Sequence, residues 1–265
     1  MHLNNDKCKI CTCSSQYIFT AQVLKKHSVK YYKCTNCGFI QTESEYWLVD
    51  AYSNAITNQD IGLLYRNVIF SGITQAIIKN SFNKNASFLD FGGGYGVFVR
   101  LMRDQGFDFF RFDTYCENVF AKGFDGNKNG YELVTAFEVF EHLQNPLSEL
   151  KKMLSHSESI LFSTELQPTG TIDLIKWWYL MPETGQHIAL YTKKSLEIMA
   201  KKCNLNFYTN NSSLHLFTKK KINKKVLRLL FSSRYSKLYN TIFKNPESLL
   251  LTDYNSLIAE NENTI

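Results

Sequence analysis

Ser87-Phe88-Leu89-Asp90-Phe91-Gly92-Gly93-Gly94-Tyr95-Gly96-Val97-Phe98 reads as a strand, a glycine turn and the opening of a helix. The apolar run of strand type ends at Asp90, and the helix-like segment continues from Val97 to Gln105. Val97 and Leu101 fall on different faces from Arg100 and Asp104. This is the first strand–turn–helix unit of an α/β sheet whose ligands bind beyond the carboxyl ends of the strands. Glycines remove Cβ atoms, so the backbone bends sharply and a ligand approaches it closely. A dinucleotide site needs G-x-G-x-x-G, but from Gly92 or Gly93 the third position is Val97 or Phe98. What stands here is acid-x-G-x-G-x-G, carried by Asp90, Gly92, Gly94 and Gly96.

The chain has 265 residues, 44% of them hydrophobic and 20% charged, which is globular composition and excludes a disordered chain. That length holds one ordinary domain with a small appendage. Asp173 and Lys176 interrupt the best apolar run, Ile172 to Met181, so no membrane span is expected. Met1 to Lys9 is polar and lacks a signal-peptide core, which makes the cytoplasm the expected compartment. The formal charge of +6 suits an anionic, nucleotide-linked substrate, and equally an ordinary lysine-rich surface.

Cys8-Lys9-Ile10-Cys11 and Cys34-Thr35-Asn36-Cys37-Gly38 are two C-x-x-C knuckles separated by 22 residues. Each short turn presents two sulfurs to one ion, so Cys8, Cys11, Cys34 and Cys37 are expected to hold a structural Zn2+. Tyr31, Tyr32, Phe39 and Ile40 read as short strands carrying the second knuckle. Cys13 is a spare thiol that competes as a ligand, whereas Cys116 and Cys203 read as small core residues. Zinc ribbons also bind nucleic acid, and Lys7, Lys9, Lys25, Lys26, Lys30 and Lys33 supply positive charge. No arginine-rich or glycine–aromatic signature accompanies them, which argues against that partner.

Glu43 to Asn80 reads as helical and connecting structure, with Trp47-Leu48 and Ala51-Tyr52 ahead of Arg66-Asn67 and a helical Ile73 to Lys79. The acid-x-G-x-G-x-G turn resembles motif I of class I S-adenosylmethionine-dependent methyltransferases. Together with the cysteine knuckles, the Trp-Leu-x-x-Ala-Tyr segment and the Arg-Asn pair, the whole is similar to bacterial methyltransferases of sugar and polysaccharide biosynthesis that carry an N-terminal zinc domain. The resemblance implies a Rossmann-like α/β fold with a seven-stranded, mostly parallel sheet and a small zinc-ribbon-like module. It implies a division into residues 1–43 (zinc module), 44–218 (methyltransferase domain with a helical entry) and 219–265 (basic amphipathic tail). The cofactor implied is S-adenosyl-L-methionine.

In that family the turn lies beside the methionine part of the cofactor, which assigns Asp90, Phe91, Gly92, Gly94, Tyr95 and Gly96 to cofactor binding. Phe109-Phe110-Arg111-Phe112 is an aromatic strand ending at Asp113, where an acid accepts hydrogen bonds from the ribose hydroxyls. Asp113 follows Asp90 by 23 residues, room for one helix and one strand; Asp108 is the rival but precedes the strand. Asp125, after Ala121-Lys122-Gly123-Phe124, is read as accepting the adenine amine or as a plain loop acid. Tyr131 to Phe137 is the fourth strand, and it delivers Glu138, Glu141 and His142, a Glu-x-x-Glu-His signature. Glu138 is assigned to the cofactor, while the trio as a divalent-metal site is the alternative. Ser159 to Glu165 is the fifth strand, Leu196 to Lys202 a helix, and Leu205 to Thr209 with Leu214 to Thr218 a closing antiparallel hairpin.

Trp177 to Thr192 is read as an insertion overhanging the methyl group, its aromatics stacking a sugar or capping the sheet. His187 is the expected catalytic proton acceptor, because imidazole titrates near neutral pH. With Gln186 it resembles a His-x-His or Glu-His element of zinc-containing sugar C-methyltransferases, but Gln186 cannot ionise where related enzymes can carry a carboxylate. That favours transfer to a hydroxyl oxygen over carbon. The acceptor implied is a sugar or sugar-nucleotide, with an aromatic or lipid acceptor as the alternative and a non-enzymatic nucleic-acid-binding protein as a further one. Lys219 to Lys244 is basic with interleaved apolar residues and either docks on the sheet or offers peripheral membrane contact. Glu260 to Ile265 is expected to fray.

Overall fold

Residues 7–52, 60–126, 128–169 and 174–262 are described by the computed structural model of the chain. Asp173 of the interrupted apolar run, the first six residues and the last three of the expected frayed end lie outside them.

In chain order the strands β1 (Ser15–Val23), β2 (His27–Cys34) and β3 (Ile40–Thr42) come first. Helices α1 (Leu48–Ala51) and α2 (Leu63–Ser81) follow, then β4 (Ser87–Phe91), α3 (Val97–Asp104), β5 (Asp108–Phe112) and β6 (Val134–Ala136). Next are α4 (Pro146–His156), β7 (Ser159–Ser163), β8 (Ala189–Leu190), α5 (Lys193–Lys202), β9 (Asn206–Thr209) and β10 (Leu214–Thr218). Helices α6 (Lys224–Leu230), α7 (Ser233–Ile242) and α8 (Leu250–Glu262) end the described chain, so Glu260 to Glu262 close a helix.

The larger sheet has the order β5-β4-β6-β7-β10-β9. Strand β4 is parallel to β5 and to β6, and β9 and β10 are antiparallel with His215 opposite Thr209. The closing hairpin is therefore present. Six strands stand in this sheet among the described residues, against the seven expected. Beyond β5 one parallel bridge forms among the described residues, Arg111 to Asp125. The chain there reads Lys122-Gly123-Phe124-Asp125-Gly126, and glycine and aspartate are poor strand formers. The fourth strand is also shorter than its apolar run, pairing over Val134–Ala136 only.

The chain divides into two compact units. The first comprises Met1–Thr57, Phe137–Leu154 and Leu161–Lys219. Its own sheet has the order β1-β2-β3-β8, antiparallel throughout. Along β1 the residues Phe19, Ala21 and Val23 are buried and alternate with exposed Thr20 and Gln22, the period of a half-buried strand. They pack with Val29, Tyr31, Ile40, Trp47, Trp177, Tyr179 and Leu180 in one core. Two rings of the Trp177–Tyr179 cluster are thus core, while Trp178 is 69% exposed.

The second unit comprises Asn58–Ala136, Ser155–Ile160 and Lys220–Ile265. Helix α2 buries its second half, Ile73 to Ile78, and α3 turns Phe98, Val99 and Met102 inward. Phe88 and Phe109 stack with centroids 5.0 Å apart across β4 and β5. Helix α8 is fixed by Asp253, which accepts from Arg103 at 2.7 and 2.8 Å and from Arg100 at 2.9 Å.

Candidate active site

In the second unit the glycine turn follows β4. Gly92, Gly94 and Gly96 have φ of +74°, +53° and +85°, so the alternate glycines are the left-handed residues, where a Cβ would be strained. A Cβ on Gly96 would meet Asn118 Oδ1 at 2.8 Å, but one on Gly94 would meet nothing within 4 Å. The turn therefore packs tightly at Gly96 and opens at Gly94.

Asp90 is buried, and its Oδ1 accepts from the Thr135 hydroxyl at 2.6 Å. Burial pushes its carboxyl up to about 7, opposed by Thr135 and reinforced by Asp113. Asp113 follows β5 directly. Its Oδ2 accepts from the Gly94 amide at 2.9 Å, and its Oδ1 accepts from the amides of Tyr115 and Cys116 at 2.7 and 2.8 Å. A carboxylate has about four acceptor sites, so one on Oδ2 remains for a ligand hydroxyl. The rival, Asp108, is bound to Ser87 and Arg103 instead.

Arg111 ties these pieces together. Its side chain is buried, and it donates to Asp125 Oδ1 at 2.7 Å, to the Gly94 carbonyl at 2.5 Å and to the Cys116 carbonyl at 2.9 Å. The other Asp125 oxygen accepts from Asn118 at 3.0 Å. Phe91 stacks on Phe112 at 5.0 Å, and the Tyr95 carbonyl accepts from Val119 and Phe120.

In the first unit, Glu138 has φ +54°, a conformation rarely taken by a residue with a side chain. The Ser163 hydroxyl holds it, accepting from its amide at 2.7 Å and donating to its Oε1 at 2.6 Å. Glu141, His142 and His187 bring ligand atoms within 4.8 Å of one another, so His187 takes the place expected of Glu138 beside the other two. Glu141 is fully buried, and among the described residues neither carboxylate oxygen has a hydrogen-bond partner at normal distance, the Tyr179 and Thr164 hydroxyls being the polar groups that act on it. Burial, then the charge of Glu138, pushes its carboxyl up to about 8. His142 donates from Nδ1 to the Gln186 carbonyl at 3.0 Å, and burial holds its imidazole down at about 4. His187 donates from Nδ1 to the Tyr179 carbonyl at 2.6 Å. Gln186 is buried with its amide donating to the Ala51 carbonyl at 2.9 Å, a bond that a carboxylate at this position could not make.

The four knuckle sulfurs also converge, all within 4.8 Å of one another. Cys8 to Cys37 is 3.6 Å and Cys11 to Cys34 is 3.3 Å, near the edge of about 3.8 Å that a tetrahedron with zinc–sulfur bonds of about 2.3 Å requires. The amides of Ile10 and Cys37 point at Cys8 and Cys34 from 3.4 Å. The donor set and spacing fit zinc. Cys13 stands outside the group, its thiol facing the Cys11 carbonyl at 3.8 Å.

A family model described as a methyltransferase domain matches residues 65–210, more than half of the 265. The chain belongs to this methyltransferase-domain family. Among solved structures, TnmH is 14% identical with a TM-score of 0.45, covering 61% of this chain and 57% of its own. CalO1, a methyltransferase in calicheamicin biosynthesis in its SAH-bound form, is 14% identical with a TM-score of 0.41, covering 65% and 61%. The magnesium protoporphyrin IX methyltransferase of Synechocystis PCC 6803, with bound SAH, is 14% identical with a TM-score of 0.43, covering 65% and 93%. The chain thus spans less than two-thirds of the length of the first two. Among curated proteins none matches.

Three residues of the site carry no local signal in the sequence: Arg111, Thr135 and Ser163. Each sits on a strand at a buried position yet carries a polar group. Arg111 lies on the same strand face as Phe109, and a buried guanidinium requires partners.

Proposed function

We propose that this chain transfers a methyl group from S-adenosyl-L-methionine to a hydroxyl of a sugar or sugar-nucleotide. The observation that carries the reading is the left-handed glycine turn, open at Gly94 and flanked by Asp90 and Asp113, in a chain of the methyltransferase-domain family. The cofactor supplies a methyl group on a sulfonium, ready for in-line displacement. Asp90, Phe91, Gly92, Gly94, Tyr95 and Gly96 form the cradle for its methionine end. Asp113 offers its remaining acceptor site to the ribose, and Asp125 stands next along the loop for the adenine edge.

His187 is the proposed proton acceptor. A carbonyl oxygen can only accept, so the 2.6 Å contact with Tyr179 fixes the proton on Nδ1 and makes Nε2 the basic atom. The exposed ring of Trp178 and the resemblance to sugar-pathway enzymes support a sugar acceptor. Cys8, Cys11, Cys34 and Cys37 are proposed to hold one structural Zn2+; it takes no part in the transfer.

The convergence of Glu141, His142 and His187 favours a second reading, in which they hold a divalent cation that orients an aromatic or lipid acceptor. Two measurements separate these. Calorimetric titration should show micromolar binding of S-adenosylmethionine, weakened by Asp113→Ala, and no binding of a nicotinamide dinucleotide. Turnover with an acceptor panel should collapse about 100-fold or more in His187→Ala with cofactor affinity intact. Turnover that instead requires added Mg2+ or Mn2+ would select the second reading, and absence of cofactor binding would sink both.

A further inference from the structure

We propose that helices α6 and α7 form a docking surface for an anionic lipid bilayer. The charge of the chain is concentrated there. Residues 219 to 244 contain nine of the 30 lysines and arginines and no acid, so the remaining 21 are outnumbered by the 24 acids. The chain's positive charge therefore belongs to this segment and not to its surface at large.

The segment is folded and anchored on one side. Leu227, Leu230 and Phe231 are buried, as is Ser236, and Asn240 donates to the Gly72 carbonyl of α2 at 2.8 Å. The other side carries large apolar groups in water. On α7, Tyr235, Leu238 and Ile242 recur at the spacing of one helix face and are 47%, 59% and 65% exposed. On α6, Leu229 is half exposed, next to Arg228 and one turn after Lys225. Lys224, Lys225, Arg228, Arg234, Lys237 and Lys244 are all exposed, and none forms an ion pair among the described residues. Lys220 is different, bound to Glu132.

An apolar stripe alone would suit several occupants, but the cations beside it select an anionic one. A bilayer interface takes both at once: the stripe enters the acyl boundary while lysine and arginine meet headgroup phosphates. No helix among the described residues is long and apolar enough to cross a membrane, so the contact lies on the surface. The proposal is independent of the methyl-transfer reading.

The test is co-sedimentation of the full chain with vesicles of phosphatidylcholine, with and without phosphatidylglycerol. Binding is expected only to the anionic vesicles, and at least tenfold weaker at about 1 M salt, where the screening length falls to about 3 Å. Arg234→Gln with Lys237→Gln should weaken it about 25-fold, at roughly fivefold for each basic residue near an anionic surface. Leu238→Ser with Ile242→Ser should weaken it at least tenfold, and because both side chains are exposed the melting temperature should not move. Soluble glycerol phosphate should not compete. Equal binding to both vesicle types, no binding, or binding untouched by either pair of substitutions would overturn the proposal. So would a dimer that Leu238→Ser with Ile242→Ser dissociates in a chain that ignores lipid.

Discussion

Gly94 and Gly96 look alike in the sequence and differ in what surrounds them. Both have left-handed backbones, so alanine at either costs about 1–2 kcal/mol. At Gly96 the added methyl group also meets Asn118 and Ala121, whereas at Gly94 it enters open space. Gly96→Ala should therefore lower the melting temperature markedly. Gly94→Ala should lower it less while cutting S-adenosylmethionine affinity tenfold or more, because the methyl group fills the cradle. Equal loss of affinity in the two, scaled to stability, would count against a ligand at Gly94. Arg111→Met is a third case. Asp125 is more than half exposed and regains water, so the loss comes mainly from the stranded Gly94 and Cys116 carbonyls, about 1–3 kcal/mol.

At the scale of elements, two devices hold the periphery. The buried Arg103–Asp253 pair ties α8 to α3, and Arg103 also covers the Phe124 ring at 3.7 Å. Removing one partner leaves the other charge buried, so Asp253→Asn should cost about 3 kcal/mol. The exposed pair of Lys26 with Asp50 provides the contrast: Lys26→Met should change stability by less than about 1 kcal/mol. Denaturant titration of the two variants measures both. The second device is the cysteine cluster, which joins the turn at Cys8 to β2. On the proposed zinc reading the chain should hold one ion, measured by elemental analysis, and Cys34→Ser should lower both zinc content and melting temperature; a chain without zinc, or zinc content that does not change, would sink that reading.

For the whole molecule, four buried ionisable groups set opposite pH trends. Asp90 and Glu141 are raised to about 7 and about 8, so the stability they confer is lost as pH rises through those values. His142 and His215 are held down at about 4 by burial, so their contribution is present above the ordinary histidine range and is lost as pH falls from about 6.5 towards 4. Between about pH 4.5 and 6.5 the pairs offset each other. From pH 6.5 to 8 the acids act alone, and stability should fall by about 2 kcal/mol, a melting shift of about 4–8 °C. Asp90→Asn should flatten part of that slope, and an unchanged slope would show that Asp90 ionises at an ordinary value.

The sequence by itself determined the elements whose signals are local. Alternating glycines after an apolar strand require left-handed turns, paired C-x-x-C spacing brings sulfurs together, and the apolar periods of α2, α5 and the β9–β10 hairpin follow from short-range pattern. Tertiary structure alone decided what depends on partners distant in the chain. It placed His187 beside Glu141 and His142, sank Trp177 and Tyr179 into the first unit's core while leaving Trp178 outside, and gave Arg111 three acceptors. It also left six strands in the larger sheet among the described residues where seven were expected, with a bridge from Arg111 to Asp125 beyond β5, since edge pairing depends on a neighbour as much as on its own residues. A side chain's chemistry is written locally, but burial and company, which set its charge and its role, belong to the fold.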